Sequence, residues 1–166
     1  AALCADPEVM RYFPATMTRE QTDAAIDRWQ GQIAERGWSF SAVELRDSGE
    51  FIGMIGMSVP RHLLPFSPCV EIGWRLARQH WGKGYATEGA KACLALAFTK
   101  LGLDEIVSFT ALANLPSRAV MERIGMARAN ADFEHPAVAE GHPLRLHCLY
   151  RITRDQWRRA DFQDVT

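Results

Sequence analysis

The chain has 166 residues, 48% of them hydrophobic, with 19 Lys+Arg against 20 Asp+Glu and a formal net charge of -1. This apolar content suffices for one substantial core, so a single domain over residues 1–166 is expected, and the balanced charge offers no electrostatic footprint for nucleic acid or an anionic membrane. No apolar run approaches the ~20 residues of a membrane span and no signal segment opens the chain; the scattered cysteines Cys4, Cys69, Cys93 and Cys148 form no C-x-x-C pair, which predicts a soluble protein of the reducing cytoplasm.

Residue 1 is Ala rather than an initiator Met, and Asp6 to Phe13 reads as the end of a helix entered midway. Thr18-Arg19-Glu20-Gln21 has the capping-box form, and Ala25, Ile26, Trp29 and Ile33 recur at helical spacing up to Gly37, which predicts an amphipathic helix. Trp38–Leu45 and Phe51–Val59 are strand-like runs joined by Asp47-Ser48-Gly49-Glu50, turn formers that predict an antiparallel hairpin. A Pro-rich stretch from Pro60 to Pro68 reads as loop, followed by a strand over residues 69–76 and a turn from Gln79 to Gly84.

From Tyr85 to Leu101 the pattern is helical, with Ala86, Ala90, Cys93, Leu94, Ala97, Phe98 and Leu101 on one apolar face whose small residues allow close packing on a sheet. Glu105–Ala111 is a strand, and Asn114-Leu115-Pro116-Ser117 opens a short helix that ends at Gly125. Met126–Phe133 and Leu144–Ile152 read as strands around a His/Pro/Gly loop, and Thr153-Arg154-Asp155-Gln156 caps a last helix. Strands and helices alternate only in the middle, which predicts an α/β (α+β) fold with a mixed sheet and helices on both faces.

The stretch Gln79-His80-Trp81-Gly82-Lys83-Gly84-Tyr85-Ala86 lies between a strand and a helix, where first-turn N–H groups lack intrahelical acceptors and favour an anion. Glycine at 82 and 84 lets a phosphate approach those amides and permits positive backbone dihedrals, so a diphosphate fits. Taken alone, a G-x-G is equally served by a tight strand-to-helix connection. A P-loop is ruled out because no G-x-x-x-x-G-K-[ST] is present, and the dinucleotide fingerprint because position 87 is Thr.

Gln79-x-x-Gly82-x-Gly84, placed after a strand and opening a helix, resembles the Q/R-x-x-G-x-G/A acetyl-CoA motif of GNAT acetyltransferases. Within that superfamily, Glu71-Ile72-Gly73-Trp74, Trp81 to Glu88, Asn114-x-x-Ser117 and Glu122-Arg123-Ile124-Gly125-Met126 are similar to the ribosomal-protein N-terminal acetyltransferase (RimJ/RimL) branch, in order over residues 3 to 160. The resemblance implies the GNAT fold: a mostly antiparallel central sheet splayed between two parallel strands, here 69–76 and 105–111. GNAT domains also usually begin with a strand and helix start that this chain is expected to lack.

The resemblance further implies acetyl-CoA as cosubstrate, its pyrophosphate on the main chain of Trp81, Gly82, Lys83, Gly84, Tyr85 and Ala86, with Gln79 at the mouth. Its pantetheine arm would pair with Trp74, Arg75 and Leu76 and meet Asn114. For Asn114 a helix N-cap explains the residue equally well, and Glu88 is read as a first-turn carboxylate favoured by the helix dipole. Amine attack on a thioester needs a base, an oxyanion donor and a thiolate acid. Glu71 is the candidate base, against a solvent-facing carboxylate or a partner of Arg75; the oxyanion donor is placed at a strand N–H near Arg75. Many family members use a tyrosine as acid where this chain has Met121; Ser117 is the substitute, against a serine that satisfies only its own helix turn.

His135 and His147 are expected on the acceptor side, with Phe133-Glu134-His135-Pro136 shaping it. Their spacing, with His142, fits no tight ligand pair, so no metal is expected. Trp29, Trp38 and Trp157 are read as packing residues. The expected activity is acetyl transfer to a protein N-terminal α-amine. The alternatives are a small-molecule amine such as a polyamine, amino acid or antibiotic, a non-catalytic acyl-CoA-binding domain, and a structural domain with an incidental glycine turn. No direct nucleic-acid or membrane partner is expected, and homodimerisation is left open.

Overall fold

The computed structural model describes residues 1–160, so the last residues of the expected 1–166 domain lie outside the described part. The chain enters through a short helix, α1 (Ala2–Ala5), and then turns over residues 7–12. The expected helix end at Asp6–Phe13 is therefore a run of turns. Asp6 stops the helix by leaving helical geometry (φ -75, ψ 117) while its carboxylate accepts from the Glu8 N–H at 2.8 Å. The capping box at Thr18 and Gln21 then opens α2 (Arg19–Arg36), and Gly37 closes it in the left-handed conformation that only glycine adopts at no cost.

The hairpin forms as β1 (Phe40–Glu44) and β2 (Phe51–Ser58), paired antiparallel with Phe40 opposite Gly56. β2 pairs antiparallel with β3 (Glu71–Leu76), and β3 lies parallel to β4 (Glu105–Ala111). Helix α3 (Tyr85–Thr99) makes the crossover between those parallel strands. After β4 come α4 (Leu115–Arg123), the two-residue strands β5 (Ala127–Arg128) and β6 (Phe133–Glu134), then β7 (Leu146–Thr153) and α5 (Arg154–Arg159). Sheet order is β1-β2-β3-β4-β7-β5, with β6 also on β7. The sheet is mixed and mostly antiparallel, and the expected strand Met126–Phe133 reduces to two short segments against β7.

Alternation along the strands assigns the two faces. Ile72 and Met57 pack with Ala90, Leu94 and Ala97 of α3 in the main core, which also takes Ile106, Tyr150 and Trp157. The small residues of α3 do allow close approach, since a Cβ on Gly89 would come within 2.5 Å of Ile55 Cδ1. On the other face Gln32 of α2 is bonded by the hydroxyls of Ser39 and Ser58, and Trp29 lies 5.3 Å from the Phe40 ring. Glu71, Gly73 and Arg75 share this second face. Glu122 accepts from the buried Tyr150 hydroxyl at 2.8 Å, Ile124 is buried, and Gly125 takes φ 84 to end α4, so the Glu122–Met126 motif serves the fold.

Candidate active site

Strands β3 and β4 share one Cα pair, Glu71 with Val107, and one Val107 N–H to Val70 carbonyl bond at 3.0 Å. Beyond it they part, and the opening passes through the sheet. A cavity of about 540 Å³ on the α3/α4 side is lined by Trp74, Arg75, Leu76, Trp81, Gly82, Gly84 and the first turn of α3. A second of about 420 Å³ on the opposite face is lined by Glu71, Trp29, Phe40, Phe109, His135 and His147. Tyr12, Phe13, Trp74, Arg75, Asn114 and Ser117 line both and mark the junction.

The wall of the first cavity at the turn is main chain. Gly82 and Gly84 take φ 72 and 89, and a Cβ on either would meet no protein atom within 4 Å. Their dihedrals demand glycine and the space beside them is free of protein. Gly84 is the N-cap of α3 and provides no side-chain cap; the first i to i−4 bond is Glu88 N–H to the Gly84 carbonyl at 3.0 Å. The N–H groups of Tyr85, Ala86 and Thr87 therefore lack intrahelical acceptors, and the helix dipole adds positive potential there. This uncapped, glycine-bounded N-terminus fits a diphosphate. The Trp81 indole donates to the Leu76 carbonyl at 2.7 Å and ties the turn to the end of β3. Gln79 and Lys83 are exposed, beside the lining residues His80, Trp81, Gly82 and Gly84 rather than among them.

The register decides which main-chain groups face the opening. Ala77 N–H bonds to the Ile52 carbonyl of β2, while the Ile72 carbonyl accepts the Ser108 hydroxyl at 2.9 Å on the β4 side. By alternation, Gly73 and Arg75 turn their N–H groups to β2, and Trp74 and Leu76 turn theirs to the opening. Of the strand N–H groups near Arg75 expected to meet an oxyanion, that of Trp74 faces the opening and that of Arg75 itself faces β2. Leu76 contributes its N–H, its carbonyl being engaged by Trp81.

Glu71 makes no hydrogen bond or ion pair to any described residue, and burial pushes its carboxyl up to about 7. The alternative of a Glu71–Arg75 pair is excluded by where Arg75 goes. Its Nη1 donates to Cys4 Sγ at 3.0 Å, and its guanidinium lies 4.4 Å from the Phe13 ring centre. Arg75 Nε is buried without a partner among the described residues. Arg75 therefore anchors the N-terminal segment over the junction, bringing Tyr12 and Phe13 to the site. Trp29, expected as packing, also lines the second cavity.

Asn114 is the N-cap of α4, with Oδ1 accepting from Ser117 N–H at 3.3 Å and Nδ2 donating to Thr110 Oγ1 at 2.8 Å. It also lines both cavities, so the cap and the ligand-facing position coincide. The Ser117 hydroxyl has no partner among the described residues, and Met121, at the tyrosine's place, is 2% exposed. Glu88 is exposed in the first turn of α3, where the dipole favours it.

His135 and His147 stack with ring centres 4.8 Å apart. Burial, then the neighbouring His147 and His62, pulls His135 down to about 4; burial also lowers His147. His147 Nδ1–H donates to the Arg145 carbonyl at 3.1 Å, leaving Nε2 as an acceptor, while His135 Nδ1 accepts from Ala137 N–H at 3.2 Å and leaves Nε2–H as a donor. Among the described residues no group of His, Cys, Asp or Glu is arranged to hold a metal ion, and no helix is long and apolar enough to cross a membrane.

Known proteins resemble this chain in sequence and in fold. The model of the acetyltransferase (GNAT) domain matches residues 1–127. The uncharacterized protein YkkB of Bacillus subtilis is 36% identical over 123 residues, spanning 73% of this chain and 69% of the relative. The FsC-acetyl coenzyme A-N(2)-transacetylase of Aspergillus fumigatus is 31% identical over 172 residues, covering 97% of this chain and 71% of its own. Among solved structures, a GNAT-family acetyltransferase from Bacillus anthracis superposes with a TM-score of 0.72 at 27% identity, covering 92% of this chain and 85% of the other. A glycine-bounded helix start beside two splayed parallel strands defines an acyl-CoA transferase site, and the chain belongs to the GNAT acetyltransferase family. It is an acyltransferase with acetyl-CoA as donor.

Proposed function

We propose that this chain acetylates a primary amine by direct attack, with Glu71 as the base. The observation that carries the proposal is Glu71 itself: an unpaired carboxyl at the base of the strand opening, raised to about 7 by burial. A base with that affinity for protons is half ionised near neutral pH, where it takes a proton from an amine most effectively. Bound in the first cavity, acetyl-CoA supplies the thioester carbonyl that the amine attacks.

The N–H groups of Gly82, Lys83, Gly84, Tyr85 and Ala86 are proposed to hold the pyrophosphate, and Trp74 and Leu76 the pantetheine arm beside Asn114; Trp81, whose N–H donates to the Arg78 carbonyl at 3.1 Å, contributes to the turn's shape instead. As the C–N bond forms and the C–S bond breaks, Glu71 receives the amine proton and Trp74 N–H faces the oxygen that gains charge. The Ser117 hydroxyl, unpartnered at the junction, donates toward the departing sulfur.

Motif order favours a protein N-terminal α-amine, in line with a putative ribosomal N-acetyltransferase, YdaF of Bacillus subtilis, at 33% identity over 103 residues. A small-molecule acceptor is favoured by the second cavity, whose walls come from both the sheet and the N-terminal segment. We place the activity in the cytoplasm on the strength of its four free cysteines. Thiol release from acetyl-CoA with a panel of amines tests the reading: amine-dependent release that Glu71→Gln lowers by about 10²-fold or more supports it. Coenzyme binding without transfer to any amine leaves the non-catalytic reading.

A further inference from the structure

The second cavity has a chemistry of its own. Glu71 is its one carboxyl among the described lining residues, and Arg75 its one permanent cation. Arg75 has no carboxylate partner among the described residues: its guanidinium meets Cys4 Sγ, Met17 Sδ and the Phe13 ring. The two imidazoles are held neutral near pH 7 by burial. The remaining surface joins aromatic rings to aliphatic side chains such as Met54, Ile72 and Val138, with Ser108, Thr110, Asn114 and Ser117 as its neutral polar groups. Phe40 lies flat enough over Gly73 that a Cβ there would come within 3.2 Å of its ring, and Trp29 abuts Phe40. Phe109 closes the other side, 5.8 Å from His135 and 6.4 Å from His147.

We propose that the acceptor is a free primary monoamine with an aromatic or branched apolar body, seated between Phe40 and Phe109 with its nitrogen at Glu71. The inference rests on the reading that this cavity receives the amine. A polyamine would bring further ammonium groups into a space with one carboxyl, already committed to the reacting nitrogen, and a fixed guanidinium; each buried unpaired charge there is costly. A peptide would bring a run of main-chain amides against few groups able to pair them, chiefly the Nε2 atoms of His135 and His147 and the Ser117 hydroxyl, so most of those amides lose water without gaining partners. An apolar body gains by burial against the rings. The C–N bond forms and the C–S bond breaks, the amine nitrogen loses one proton to Glu71, and the coenzyme departs as thiolate, which becomes free thiol when the proton held by Glu71 is returned to it through solvent.

The test uses the full chain with acetyl-CoA and measures initial rates for 2-phenylethylamine, isoamylamine, spermidine and a peptide with N-terminal alanine. The arylalkyl and branched amines are expected to exceed spermidine and the peptide in kcat/KM by about 30-fold or more, the worth of roughly 2 kcal/mol of differential burial. Phe40→Ala should lower kcat/KM for 2-phenylethylamine by about 10-fold while the KM for acetyl-CoA stays put, and Phe40→Leu should recover part of it. Preferred acetylation of spermidine or of the peptide overturns the inference and leaves Glu71 as base intact. Failure of every amine while coenzyme still binds overturns the underlying reading and the inference with it.

Discussion

Glu71 and Val107 are the one Cα pair that joins the two parallel strands, and the candidate base therefore stands at the vertex of the opening it serves. Any change in that pairing moves the carboxyl relative to both cavities. Because the Glu71 side chain lies on the face away from α3, it meets the acceptor side while the neighbouring Trp74 N–H faces the donor side. In the proposed reaction, proton removal and charge stabilisation are thus separated by a few residues of one strand.

The proposed role of Glu71 as base predicts a pH dependence for the reaction. Its carboxyl, raised to about 7, is the base only when ionised, so kcat/KM should climb through pH 7 and level off above it. Glu71→Gln should abolish that rise and reduce the plateau by about 10² to 10³-fold. A pH–rate profile of both proteins checks this.

The same group should leave a mark on stability. Its ordinary value is 4.5 and its folded value about 7, so the folded state holds the proton more tightly than the unfolded chain. That contribution is complete below about pH 4.5 and is lost as pH rises through 7. Glu71→Gln should accordingly gain on the native protein in Tm between pH 5 and pH 8. Melting curves at those two values, by calorimetry or circular dichroism, are the measurement.

Gly56 tests the hairpin register. A Cβ at this position would lie 2.4 Å from Phe40 Cα and from the Ser39 carbonyl, both backbone atoms that cannot move aside cheaply. Gly56→Ala should destabilise the protein by about 2 kcal/mol or more and, by displacing Phe40, raise the KM for the acceptor more than for acetyl-CoA. Urea unfolding with steady-state kinetics reads both effects.

Asn114 combines two duties that substitution can separate. Asn114→Ala should cost about 1 kcal/mol through the lost cap and also weaken coenzyme binding. Asn114→Ser keeps a capping oxygen but not the amide, so it should restore most of the stability and little of the affinity. Equal recovery of both would reduce Asn114 to a cap.

Much of this was legible before any coordinates, where the signal is local. Capping boxes at Thr18 and Thr153, the Asn114 cap and the glycine turn at 82–84 act within a few residues, and those elements stand where they were expected. Composition predicts one strand over Met126–Phe133, yet residues 127–128 and 133–134 are the ones that pair with β7, because ladder formation depends on a partner and not on composition. The reach of Arg75 to Cys4 and Phe13, which sets the N-terminal turns over the junction, has no sequence signature at all. Which strand N–H near Arg75 faces the opening depends on the partner of each edge of β3, which alternation alone does not supply. Gln79 matched a motif by spacing alone, and the short helical turn at Arg78–His80 leaves it exposed.

The coenzyme grip is most directly tested by calorimetric titration of CoA into the native chain and into Gly84→Val, with circular dichroism to establish that both are folded. A β-branched residue at φ 89 forces the turn out of shape, so the account predicts a measurable affinity for the native chain and a loss of about 10-fold or more for the variant. Equal affinity in two well-folded proteins would contradict it.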